Sequence, residues 1–96
     1  MILGAAESGV GAAVLAKQKG LDVFVSDMGT IKDKYKQMLD SHSIDWEEGR
    51  HTEVKILNAK EIVKSPGIPS QAPMVQQAIA KGIGIVSEIE FAGRYT

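Results

Sequence analysis

The turn Gly4-Ala5-Ala6-Glu7-Ser8-Gly9 stands between a short apolar run and a helical stretch, the position of a phosphate-binding turn. At such a turn the first backbone N–H groups of the helix lack an intrahelical partner, and the helix dipole adds partial positive charge. An anion is held there without any charged side chain. The pattern is GxGxxG with alanine at the second glycine, and the Ala6 methyl occupies space that a glycine leaves open to a pyrophosphate. Gly4 and Gly9 suit a tight turn and close helix-to-strand packing equally well, so the motif alone leaves both readings open.

Asp27 follows Gly9 by 18 positions, near the offset at which an acidic residue binds ribose in dinucleotide folds. Met28 and Gly29 come next and leave the backbone open to a flat ring. An aspartate here also suits simple turn capping. The segment Lys64-Ser65-Pro66-Gly67-Ile68-Pro69 is a third candidate. Its prolines stiffen the chain, while Gly67 permits a close contact that a side chain forbids. All three loops fall at the carboxyl ends of strands, where open parallel sheets bind ligands.

Other polar residues carry weaker signals. His42 and His51 stand outside any metal-ligand spacing and are expected at the surface. Glu47, Glu48, Glu88 and Glu90 are expected to be solvated or to cap helices, and Trp46 to pack at a strand end. No Ser/His/Asp or Cys/His set is nominated, so no catalytic and no metal-ligating residue is assigned.

Apolar runs alternate with helical stretches, the pattern of a parallel sheet wrapped by crossover helices. Strands are expected at Ile2-Leu3 and over 22–26, 43–46, 61–64 and 83–86. Helices are expected over about 8–19, ended by Gly20, about 31–41, 54–57, and about 72–81, ended by Gly82. Ser87 and Glu90 have the spacing of a capping box, so a last helix begins at Ser87. The first strand should be central, yet only three residues precede Gly4, so the chain is read as starting inside it.

The chain has 96 residues, 44% of them hydrophobic, which suits one globular domain. Eleven basic and 12 acidic residues are interspersed for a net charge of −1, giving no footprint for nucleic acid or an anionic membrane. With no cysteine, disulfides and thiolate metal sites are excluded. No segment reaches the roughly 18 apolar residues of a membrane span, and a cytoplasmic location is expected. On these residues alone, an NAD(P)- or FAD-binding Rossmann module of an oxidoreductase and a non-catalytic nucleotide-sensing module both remain open.

In order along the whole chain, ILGAAESGVGAAVLAKQKG, VFVSD, WEEGRHTE, VKSPGIP and VSEIEFAGRYT resemble the N-terminal domain of the Mur ligase family, in its D-glutamate-adding branch. SPGIP, followed by a strand and the acidic E-I-E-F, is the more specific part. The resemblance implies an α/β fold, a Rossmann-like open sheet of five mostly parallel strands with helices on both faces. Residues 1–96 would form a single N-terminal UDP-sugar-binding domain, without the central ATPase and C-terminal domains of the parent enzyme. By resemblance, Glu7, Ser8 and Gly9 face a diphosphate, Asp27, Met28 and Gly29 surround a uracil, and Gly67 approaches the sugar-nucleotide. The implied substrate is UDP-N-acetylmuramoyl-L-alanine. The fragment itself is expected to hold no cofactor, with ATP and Mg2+ belonging to the parent. The family more often has glycine at position 6 and sometimes arginine at position 29.

Overall fold

The computed structural model describes residues 1–65, 67–68 and 71–95. Five strands and five helices alternate: β1 (Ile2–Leu3), α1 (Glu7–Gln18), β2 (Phe24–Asp27), α2 (Asp33–Ser41), β3 (Asp45–Glu48), α3 (Glu53–Leu57), β4 (Glu61–Lys64), α4 (Pro73–Ala80), β5 (Gly84–Ser87) and α5 (Glu88–Gly93). The sheet order is β3-β2-β1-β4-β5. All four pairings are parallel, so the expected mostly parallel sheet is wholly so.

Two apolar layers flank the sheet, because successive strand side chains point to opposite faces. Ile2, Val25 and Val63 pack with Val10, Ala13 and Ala16 of α1, Leu39 of α2 and Phe91 of α5. Leu3 and Ile62 point the other way, onto Ile56 of α3 and Val75 and Ala78 of α4. Ile2 and Leu3 are 2% and 1% exposed, so the central strand is buried on both faces, as its place in the order requires.

Three strands differ from expectation, β5 by a single residue, since it runs over Gly84–Ser87. β2 begins at Phe24, so Asp27 is its last residue rather than the one after it. β3 runs over Asp45–Glu48, two residues later than expected, which makes Trp46 an interior residue of the strand. Trp46 donates its Nε1–H to Asp40 at 2.9 Å. The shift places Glu47 in the sheet and residues 49–52 at its carboxyl edge. The final helix has the predicted box: Ser87 Oγ accepts from Glu90 N at 3.1 Å, and Glu90 Oε1 from Ser87 N at 3.2 Å.

Candidate functional site

β1 is followed by Gly4, whose φ of +100° is a left-handed conformation that L side chains rarely adopt. A Cβ added there would also lie 2.7 Å from Ser65 Cβ, so the turn after β1 and the loop after β4 touch directly. The turn is tied to β2 as well. Gly4 N donates to Ser26 O at 2.8 Å, and Ala5 N donates to Asp27 Oδ2 at 2.8 Å. Asp27 Oδ1 accepts from Gly29 N at 2.8 Å. Lys64 donates to Ile68 O at 2.6 Å and clasps the loop that follows β4.

These contacts frame a cleft of about 690 Å³. Its walls come from Gly4, Ala5 and Ala6, from Asp27 and Met28, from Arg50 and His51, from Ser65, Gly67 and Ile68, and from Ala72, Pro73 and Met74 at the start of α4. The cleft lies at the carboxyl edge over β1 and β4, where strand order reverses and the crossovers diverge to opposite faces. Met28 is 61% exposed and gives it a broad apolar surface.

Of the seven residues given ligand contacts by resemblance, Asp27, Met28 and Gly67 are brought together here. Glu7, Ser8, Gly9 and Gly29 are not among the described residues that line the cleft. Gly9 is buried against the turn itself, because a Cβ there would lie 2.0 Å from Gly4 O. Its packing reading is therefore physically real. Ser8 faces a separate groove between α1 and α5, lined also by Gly11, Leu15, Glu88 and Ile89. α1 has Ala6 as its N-cap residue and no side-chain cap.

Two expectations about polar residues are corrected. Glu47 and Glu88 are 8% and 7% exposed rather than solvated. Glu47 accepts from Thr52 N and Thr52 Oγ1, both at 2.6 Å, and lies 3.2 Å from Ser26 Oγ. Burial acts to raise its pKa, but the bonds from Thr52 and Ser26, with Lys55 nearby, outweigh it and hold the carboxyl below its ordinary value. Burial raises the Glu88 carboxyl, against a bond from Ser8. Glu48 does stay partly solvated, held below its ordinary value by bonds from Ile31 N at 2.9 Å and Lys36 Nζ at 3.0 Å.

His51 is the residue that sequence reasoning passed over. It is half-buried, lines the cleft, and sets Nδ1 2.6 Å from Ser26 Oγ. His42 is also half-buried, with Nδ1 3.0 Å from Met38 O at the end of α2. Ser26, His51 and Glu47 together look like a nucleophile with its base, but the geometry is wrong for that role. Ser26 has no exposed surface, and the carboxylate contacts the serine and Thr52 rather than the imidazole. Within the set, His51 lines the cleft and Ser26 and Glu47 lie behind it. The cleft offers an apolar surface with a few fixed polar groups, the make-up of a small-molecule pocket.

A β3-β2-β1-β4-β5 parallel sheet with a cleft at its switch point defines the class as a Rossmann-like α/β domain. The family model for the MurD N-terminal domain matches residues 3–74, and the chain belongs to that family. It is 67% identical over all 96 residues to UDP-N-acetylmuramoylalanine–D-glutamate ligase of Bacteroides thetaiotaomicron, and covers 22% of that protein. To the ligase of the same name from Porphyromonas gingivalis it is 69% identical, again over its full length, covering 21% of that protein. Thus it spans about a fifth of the length of the curated relatives it matches. Among solved structures, a pseudomurein peptide ligase type C from Methanothermus fervidus superposes with a TM-score of 0.79 at 25% identity, over 99% of this chain and 20% of that one. UDP-N-acetylmuramate:L-alanyl-gamma-D-glutamyl-meso-diaminopimelate ligase from Neisseria meningitides shares the fold, with a TM-score of 0.83 at 18% identity over 99% of this chain and 30% of that one.

Proposed function

We propose that residues 1–96 are the N-terminal UDP-sugar-binding domain of a longer peptidoglycan-precursor ligase, and that the cleft holds the uridine diphosphate part of UDP-N-acetylmuramoyl-L-alanine. The parent enzyme joins D-glutamate to that substrate in an ATP-dependent, amide-forming reaction. ATP and Mg2+ belong to a central domain outside these residues, a C-terminal domain completes the protein, and the whole works in the cytoplasm.

The observation that carries this reading is the cleft at the switch point, where Ala6, Asp27, Met28 and Gly67 meet from three different loops. The base lies against Met28 near Asp27 and Gly29. The diphosphate lies along Ala5 and Ala6, with the backbone N–H groups of Glu7, Ser8 and Gly9 next in the chain at the positive end of α1. Gly67 leaves room for the sugar.

Calorimetric titration of the chain with UDP-N-acetylmuramoyl-L-alanine, NADH and ATP in parallel tests the reading. Saturable binding of the UDP-sugar alone is expected. Binding of NADH without the UDP-sugar would instead indicate an oxidoreductase module, and binding of ATP alone a nucleotide sensor.

A further inference from the structure

Residues 49–52 join β3 to α3 and bring His51 to the cleft wall. The imidazole is held from behind. Nδ1 lies 2.6 Å from Ser26 Oγ, and that hydroxyl lies 3.2 Å from both Glu47 Oε1 and Arg50 O. A hydroxyl has one proton to give. The Arg50 carbonyl and the ionised Glu47 carboxylate only accept, so giving the serine proton to one of them leaves the fewest acceptors facing Ser26 Oγ without a proton between. The proton between Ser26 and His51 then comes from the imidazole. With that assignment Nδ1–H donates to Ser26, and Nε2 is the acceptor left on the ring that lines the cleft. Burial lowers the pKa of His51 against the opposing pull of Glu47 and Asp27, which favours the neutral ring.

We infer that His51 reads a hydrogen-bond donor of the bound nucleoside through Nε2, with Ser26 and Glu47 as positioning residues that fix its tautomer and orientation. The inference rests on the cleft being the nucleotide site. A neutral acceptor is repelled by phosphate oxygens, so His51 serves the nucleoside and not the diphosphate. A uridine nucleotide offers donors of two kinds, the imide N–H of the ring and the ribose hydroxyls. His51 takes one of them and thereby discriminates among nucleotides.

The test titrates the full 96-residue chain, wild type and His51→Asn, with UDP, 3-methyl-UDP, 2′-deoxy-UDP and 3′-deoxy-UDP. An asparagine amide keeps a donor for Ser26 where Nδ1 stood and places nothing at Nε2. One analogue should bind the wild type about fivefold more weakly than UDP, the size of one neutral hydrogen bond. In His51→Asn that analogue and UDP should bind alike. His51→Phe, checked by thermal melt, is a second variant should the first not fold. Independently, 15N NMR of the imidazole should show Nδ1 protonated and the Nε2 resonance moving when UDP is added. An Nε2–H tautomer, no analogue penalty in the wild type, or a penalty retained in the variants overturns the inference and leaves the proposed function standing. Failure of the folded wild type to bind UDP overturns both.

Discussion

Asp27 Oδ2 accepts the Ala5 N–H at 2.8 Å, so the last residue of β2 holds the first turn of the chain in place. The same carboxylate caps its own turn at Gly29 N, also at 2.8 Å. Capping and ligand reading, alternatives at the level of sequence, fall on one side chain here. Each oxygen has a second lone pair available to a ligand.

Asp27→Ala leaves two backbone donors without their ionised acceptor. A loss of about 2 kcal/mol is expected, lowering Tm by roughly 8–16 °C on a domain of this size. Asp27→Asn keeps one acceptor oxygen and should lose less. Urea denaturation of the three proteins measures it, and unchanged stability in Asp27→Ala would show that water replaces both bonds.

Gly9 and Gly11 lie two residues apart in α1 with opposite surroundings. A Cβ at Gly9 would meet Gly4 O at 2.0 Å, whereas one at Gly11 meets nothing within 4 Å. Gly9→Ala must push the helix off the turn and should cost about 3 kcal/mol. Gly11→Ala should gain roughly 0.5–1 kcal/mol from the lower entropy of the unfolded chain. Thermal melts of both variants should show shifts of opposite sign.

Glu88 supplies a pH dependence whose sign follows from burial. Its carboxyl is raised above the ordinary 4.5, so the folded protein binds its proton more tightly than the unfolded chain does. The group contributes stability below pH 4.5, and that contribution is lost as pH rises through the folded value. Glu88→Gln should raise Tm at pH 7, with a gain that shrinks toward pH 4.5. A gain that is equal at both ends would mean that charge burial is not the cause.

Ala6 lines the cleft at the start of α1. If the diphosphate approaches along this turn, Ala6→Val should abolish UDP-sugar binding by filling its path, whereas Ala6→Gly should preserve or strengthen it. A stability loss of up to about 1 kcal/mol is expected for the glycine variant. Titration of the folded variants decides the point. Equal affinities in the valine, alanine and glycine forms would place the diphosphate elsewhere.

Elements with local signals were legible from the sequence. The Ser87/Glu90 box and the helix stops at Gly20 and Gly82 depend on residues a few positions apart, and each was read correctly. β3 was misread by two residues because Asp45-Trp46-Glu47-Glu48 has little strand propensity. Its place in the sheet comes from pairing with β2, and Glu47 is tolerated inside by Ser26 and Thr52. His51 was missed for another reason: it was weighed only as a metal ligand, and its contact with Ser26, 25 residues away, has no local signal. Asp27 was found by spacing. Its bond to Ala5, 22 residues away, was beyond any local pattern.

β1 has only two residues, yet it sits between β2, the next strand in the chain, and β4. On the β4 side the Met1 amine reaches Glu61 O across a separation of 60 residues. Closing a loop of that length costs entropy before any pairing repays it. The β1–β2 and β2–β3 pairings join strands close in sequence, whereas the β1–β4 seam carries the longest loop closure in the sheet. The proposed nucleotide lies over that same seam. If it binds there, bridging Ala6 and Gly67, it acts as a clasp on the longest-range seam of the sheet and stabilises the closed domain by mass action.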